Sequence, residues 1–252
     1  MKKLKKLLKK LKLWMISLVI LCIGIFYYMN HHVVITTYKI PYQEKLTIVQ
    51  LSDIHHMSIT DSIIRKIDGV NPDIVVITGD FIDRRIYDLD RSLEWVDALQ
   101  YPIYYVLGNH EAWSGKSDEI IQALEQKGVY VLRNQQETVN GFNIIGYDDP
   151  AFKSFYPVKE QDGYNILLYH RPDNFNQFEN IDLMLSGHAH GGQIRVFGRG
   201  LFAPGEGFLP EYTSGFHNIN NMKLIISRGL GNSLFPFRIL NQPEIVVIEI
   251  GS

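Results

Sequence analysis

After residue 31 the chain alternates short apolar runs with amphipathic stretches, the pattern of an α/β fold, and nothing repeats at solenoid periods. Residues 33–40 and 46–51 read as the first strands, separated by a turn at Pro41. Helical spacing predicts helices over 61–67, 90–99 and 117–127, the first capped by Thr60 or Asp61 and the last stopped by Gly128. Asn140-Gly141, between the runs 137–139 and 142–147, predicts a two-residue hairpin.

Before residue 31 the pattern is different. Leu4, Leu7, Leu8 and Leu11 recur at helical spacing opposite a series of lysines, and residues 13–29 follow as an uncharged apolar run. Such a run is long enough to cross a bilayer core, with Trp14 at one interface and Tyr27 and Tyr28 at the other. Two other readings compete. A cleaved signal peptide is disfavoured because no small-x-small site follows and Leu21 precedes Cys22, where a lipoprotein box wants a small residue. A helix lying in the interface suits residues 2–12 but not the uncharged stretch behind them. The expectation is a single-pass anchor over 1–30 carrying a domain over 31–252. The lysines would stay on the cytoplasmic, anionic side of the cell membrane and the domain outside.

Of the 252 residues, 46% are hydrophobic and 21% charged, which excludes disordered and low-complexity classes. The net charge of −2 conceals an asymmetry. Seven of the 25 basic residues lie before residue 13 with no acid among them, leaving 18 basic against 27 acidic residues, a net of −9. A body this acidic is not suited to tracking a phosphate backbone, so no nucleic-acid partner is expected. One cysteine excludes an intrachain disulfide or a thiolate cluster, so a metal would need His, Asp, Glu or Asn.

Those residues fall at strand exits. Apolar runs end in Asp53-Ile54-His55, Gly79-Asp80-Phe81-Ile82-Asp83, Gly108-Asn109-His110-Glu111, His170 and Gly187-His188-Ala189-His190. Carboxyl ends of strands open onto the ligand crevice of α/β sheets, so these residues would converge. If the segments stay extended, Asp53 with His55, and His188 with His190, would each approach one locus from positions i and i+2. Asp53, His55, Asp80, Asn109, His170, His188 and His190 are too many donors for one tetrahedral ion and suit two ions sharing a carboxylate. Imidazole with oxygen and no thiolate suits Mn, Fe, Zn, Co or Ni. The competing reading, that each is a turn former, applies to any one motif alone and weakens with five in order.

Asp-x-His, Gly-Asp-x-x-Asp, Gly-Asn-His-Glu, a lone His and Gly-His-x-His, in this order over roughly 46–250, resemble the calcineurin-like metallophosphoesterase superfamily. Residues 187–193, 227–232 and a closing strand over 244–250 resemble more narrowly its small membrane-associated bacterial branch, some of whose members are similar to enzymes cleaving phosphoanhydride or phosphodiester bonds in nucleotide-linked lipid precursors. The resemblance implies a two-sheet β-sandwich flanked by helices. It implies one ion on Asp53, His55 and His190, another on Asn109, His170 and His188, and Asp80 between them. It also implies that His110 faces the leaving-group oxygen, with Asp83 or Glu111 orienting it.

Two divalent ions about 3.5 to 4 Å apart would share and activate a water for in-line attack at phosphorus. Asn109 and Arg228 are candidates to hold substrate, Arg228 because a guanidinium matches a phosphoryl group; an ion pair with an acidic neighbour is its other reading. Arg84 and Arg85 either touch substrate or are solvated, and His31, His32, His56 and His217 match no motif. Residues 196–217, rich in Gly and Phe, predict a loop over the metal cleft. Its aromatics, Phe197, Phe202, Phe208 and Phe216, either pack a satellite core, the favoured reading, or grip an apolar tail or a base. The expectation is a membrane-anchored phosphohydrolase acting on a phosphodiester, phosphomonoester or pyrophosphate of a small or lipid-linked substrate. The alternatives are an inert metal-binding scaffold and a nuclease.

Overall fold

The computed structural model describes residues 2–153, 162–203, 207–232 and 237–251. A long helix, α1 (Lys2–His31), leads into β1 (Val34–Ile40) and β2 (Leu46–Leu51), followed by α2 (Asp61–Val70), β3 (Ile74–Thr78), α3 (Leu89–Ala98), β4 (Ile103–Val106), α4 (Asn109–Ser114), α5 (Ser117–Gln126) and β5 (Tyr130–Val131). Then come β6 (Gln135–Val139), β7 (Phe142–Gly146), β8 (Tyr164–Leu168) and β9 (Leu183–Ser186). Four short strands, β10 (Arg195–Val196), β11 (Arg199–Gly200), β12 (Phe202–Ala203) and β13 (Gly207–Phe208), precede β14 (Gly215–Ile219), β15 (Met222–Ile226) and β16 (Glu244–Ile250).

Two six-stranded sheets result, ordered β1-β16-β2-β3-β4-β5 and β14-β15-β9-β8-β7-β6. β2 to β5 run parallel in the first and β7, β8, β9 and β15 in the second. Alternation along each strand sorts side chains into three apolar layers. Ile48, Val76, Ile166, Leu168, Leu185 and Val246 fill the space between the sheets. Val49, Leu51, Val75 and Ile77 face the other way, onto Ile63, Ile67, Trp95 and Leu124 of α2, α3 and α5. Leu167, Met184, Leu224 and Ile226 pack outward with Tyr169 and Phe175. The expected helix-flanked sandwich is the architecture found.

Local chemistry accounts for the element boundaries. Thr60 accepts the N–H of Ile63 and starts α2, as anticipated. Gly128, at φ +80°, follows α5, and the Asn140-Gly141 turn joins β6 to β7. The first strand begins one residue later than expected, and α2 runs on to Val70. Helix α1 is long and apolar enough to cross a membrane, and its apolar stretch is not covered by the domain.

Residues 196–217 do not form one irregular loop. Short hairpins, β10–β11 and β12–β13, rest on the turn at 190–192, where Gly192 meets Gly200 backbone to backbone and Arg195 donates to the Gly191 carbonyl. Gly205 lies outside the described residues. Phe216 packs on Tyr38 and Phe208 meets Phe202 edge-on with ring centroids 5.5 Å apart, but Phe197 and Phe208 stay solvent-exposed, so the expected packing is partial.

Candidate metal centre

The sandwich brings the carboxyl ends of β2, β3, β4, β8 and β9 to one edge, and each releases polar residues there. Asp53, His55, Asp80, Asn109, His110, His170, His188 and His190 are at most 6% exposed. Burying so many ionisable groups side by side is costly unless a compensating charge sits among them. The first sheet supplies Asp53, His55, Asp80, Asn109 and His110, and the second supplies the other three histidines.

They form two groups. His55 Nε2 lies 3.2 Å from His190 Nε2, which is 3.5 Å from Asp53 Oδ1. On the other side His170 Nε2 lies 3.2 Å from both Asn109 Oδ1 and His188 Nδ1. Asp80 stands between them: its Oδ2 is 3.3 Å from His170 Nε2 and 4.0 Å from His55 Nε2, while Oδ1 accepts the His110 backbone N–H at 2.9 Å. The sequence argument from extended i, i+2 spacing does not hold. Asp53, His55, Asp80, His188 and His190 all have φ between +44° and +68°, so the chain turns at each. The turn separates His188 from His190, which join different groups.

Close approach requires glycine at two of these exits. A Cβ on Gly187 would collide with Ser52 and the Asp53 carboxylate, and one on Gly108 with the Asp80 carboxylate.

The donors suit divalent cations. His170 Nδ1 donates to the Thr78 carbonyl at 2.8 Å, which fixes the ring so that Nε2 faces Asp80 and Asn109, the orientation a metal-ligating imidazole needs. Burial holds His55 down to about 3 and His188 and His190 well below the ordinary range, so these three are neutral. His170 is the exception. Burial works against its charge, but Asp80 outweighs it and lifts the imidazolium to about 10, while the histidines around Asp80 keep that carboxyl ionised despite burial.

His110 lies on the outer side of Asp80, its Nε2 4.0 Å from Oδ2. Its Nδ1 accepts the Arg84 backbone N–H at 3.2 Å, which leaves the ring proton on Nε2, and burial favours the neutral ring. Asp83 sits between His55 and His110, 3.9 and 3.8 Å from their Nδ1 atoms, and Arg85 binds its carboxylate at 3.1 Å. Arg84 lays its guanidinium over Trp113. Glu111 does not reach the His110 ring through any contact the structure shows: its carboxylate accepts the N–H groups of Gly108, Asp80, Phe81 and Ile82. It shapes the Asp80 turn instead, and burial with the nearby Asp80 charge pushes it up to about 7. Arg228 takes the second of its two readings, an ion pair with Glu244 at 2.8 Å.

Sequence reasoning missed Arg238. It is fully buried, binds the Arg228 carbonyl at 2.7 Å and Asn232 at 3.0 Å, and its peptide group pairs with the Asn30 side chain. No motif marked it. A buried arginine is visible only once the fold closes over it.

A family description of calcineurin-like phosphoesterases matches residues 46–227, nearly the whole of the two sheets. The chain belongs to that family. As a calcineurin-like phosphoesterase it is a phosphoester hydrolase, and the buried His, Asp and Asn donors are its candidate metal-binding residues. It is 31% identical to an uncharacterized metallophosphoesterase of Aquifex aeolicus over 86% of this chain and 89% of that one. The uncharacterized metallophosphoesterase YkoQ of Bacillus subtilis is 31% identical over 84% and 86%. The phosphodiesterase YaeI of Escherichia coli is 29% identical over 81% of each.

Proposed function

We propose that this phosphoesterase is a membrane-anchored, two-metal phosphohydrolase that cleaves a phosphodiester or a phosphoanhydride. Asp53, His55 and His190 would hold one divalent ion, and Asn109, His170 and His188 the other. Asp80 is shared. The observation that carries this reading is the position of Asp80 Oδ2, within 4.0 Å of nitrogens from both groups. Mn, Fe, Zn, Co or Ni suits the donor set. When bound, two such ions lower the pKa of water and offset charge on phosphoryl oxygens.

The chain's own residues supply the rest. His110, neutral with its proton on Nε2, donates a hydrogen bond to the departing oxygen as that oxygen gains charge. The fixed Arg84 N–H holds this tautomer, and Asp83, held by Arg85, borders His110 and His55. Asn109, whose Oδ1 faces His170, would also orient a phosphoryl oxygen through its amide N–H. Arg228 would bind substrate only by sharing its guanidinium with Glu244. Residues 1–30 anchor residues 31–252 to membrane lipids, with the lysines cytoplasmic and the domain outside. The name of the phosphodiesterase YaeI favours a diester over a monoester.

Detergent-solubilised protein with Mn should hydrolyse a chromogenic phosphodiester faster than the matching monoester and stop with chelator, and it should bind two ions per chain. Bound metal with no turnover of either ester would replace the enzyme by the inert scaffold.

A further inference from the structure

Residues 237–241, just before β16, lie between the end of α1 and one side of the metal centre. Toward the helix they pair with Asn30. Its Nδ2 donates to the Arg238 carbonyl at 2.9 Å and its Oδ1 accepts the Arg238 N–H, while Phe26 meets Phe237 with ring centroids 5.8 Å apart. An amide that exchanges two hydrogen bonds with one peptide group fixes both position and angle.

Two fully buried side chains of the same segment, Arg238 and Asn241, reach the metal centre. The Arg238 guanidinium donates to the Arg228 and Gly231 carbonyls and to Asn232 Oδ1, which fastens residues 228–232 across the exit of β2. There Leu230 donates to the Ser52 carbonyl at 3.1 Å and Gly231 to the Asp53 carbonyl at 2.7 Å. The approach is close: a Cβ on Gly229 would press on the Asp53 side chain, and one on Gly231 would collide with the Ile54 carbonyl. Asn241 donates its amide to the His190 carbonyl at 2.7 Å, and a Cβ on Gly191 would strike its Oδ1. Asp53 and His190 have φ of +48° and +47°, a conformation most side chains avoid, and each carbonyl accepts a bond from this assembly.

Both residues belong to the donor group that contains His55. Among the described residues, 237–241 make no hydrogen bond to Asn109, His170 or His188, and the His170 ring is set by the Thr78 carbonyl instead. The groups do touch, because the His188 N–H donates to the Asp53 carboxylate. What differs is the support behind them. Burial lowers Arg238 to about 10 against the pull of Asp53, so the guanidinium is charged at neutral pH. Glu244 is engaged by Arg228, and the Arg238 charge is met by two carbonyls and an amide oxygen. A lysine would carry the charge but could not span three acceptors.

We propose that residues 238–241 brace the ion held by Asp53, His55 and His190 and not its neighbour, with Arg238 and Asn241 as positioning residues and Asn30 tying the brace to α1. This rests on the two-metal reading and makes its two ions unequal. The ion on the braced side depends on how the end of α1 is seated, and the ion of Asn109, His170 and His188 does not.

The test uses full-length protein in detergent, stripped with chelator and titrated with Mn while the electron paramagnetic resonance signal of the free ion is followed. Wild type should bind two ions. Arg238→Lys and Asn241→Ala should each weaken one ion about tenfold or more and leave the other within about twofold. Ligand variants identify which ion it is. Combined with His188→Ala, Arg238→Lys should weaken the remaining ion by the same factor, and combined with His190→Ala it should leave the remaining ion unchanged. Asn30→Ala, which removes no contact inside the site, should weaken the same ion about threefold. It carries the test if Arg238→Lys or Asn241→Ala loses the circular dichroism spectrum of wild type. Equal weakening of both ions, or of neither, overturns the brace, and unchanged affinity in Asn30→Ala removes α1 from it. A wild type that binds a single ion overturns the two-metal reading itself, and the distinction between the ions with it.

Discussion

The two ends of the strands use the same backbone device on different side chains. At the amino ends, left-handed turns fall on Asn71, Asn140, Asn180 and Asn220, with φ from +48° to +52° and all four residues exposed. At the carboxyl ends the same region of φ falls on Asp53, His55, Asp80, His188 and His190, all buried. Left-handed backbone costs about 1 kcal/mol or more for most side chains, and asparagine tolerates it well. At the amino end, therefore, the turn chemistry explains the residue. At the carboxyl end it does not, because ionisable groups are withdrawn from water as well, and that second cost makes sense only if a cation joins them.

The comparison can be tested by substitution at either end. The largest effect belongs to Asp80→Asn, the point common to both donor groups: metal-dependent ester hydrolysis should vanish while circular dichroism shows a folded chain, and retained turnover would remove Asp80 from its shared position. Glu111→Ala leaves four N–H groups without their acceptor, and at about 1 kcal/mol or more per donor it should lower unfolding free energy by about 4 kcal/mol. Urea titration reads this directly. His110→Asn should slow ester hydrolysis about a hundredfold, equivalent to ~2.7 kcal/mol, with the bound metal content unchanged. A parallel loss of metal would make His110 a ligand instead. The smallest change is expected at the amino end, where Asn140→Gly should stabilise by less than about 1 kcal/mol and leave turnover as it was. A marked loss of activity there would erase the distinction between the two ends.

Much of this was legible beforehand because it is local. The apolar runs that became β2, β3 and β4 each end in a polar exit, and an exit needs only a strand period and a break to be seen. The Asn140-Gly141 hairpin and the Thr60 cap were equally plain. The failures lie where one residue's backbone conformation decides a direction. Strand spacing alone had His188 and His190 share a locus, whereas the family resemblance assigned them to different ions, and φ values of +68° and +47° send them to different groups. Of the two candidates to orient His110, Asp83 and Glu111, the second is taken by the Asp80 turn, whose N–H groups its carboxylate accepts. Phe197 and Phe208 were expected to pack, and the hairpins that carry them lift the rings into solvent.

The sequence alone determined that the fold is α/β, that a helix with a long uncharged apolar stretch precedes it, and which residue types gather where strands stop, because hydrophobic period and turn chemistry act within a few residues. Only the tertiary structure decided that β16 inserts between β1 and β2, that Arg238 is buried between the end of α1 and Asp53, and that the end of α1 lies beside the candidate metal centre. Those facts depend on strand direction and on pairing across some two hundred residues, and no local pattern records which distant strand will satisfy a backbone edge.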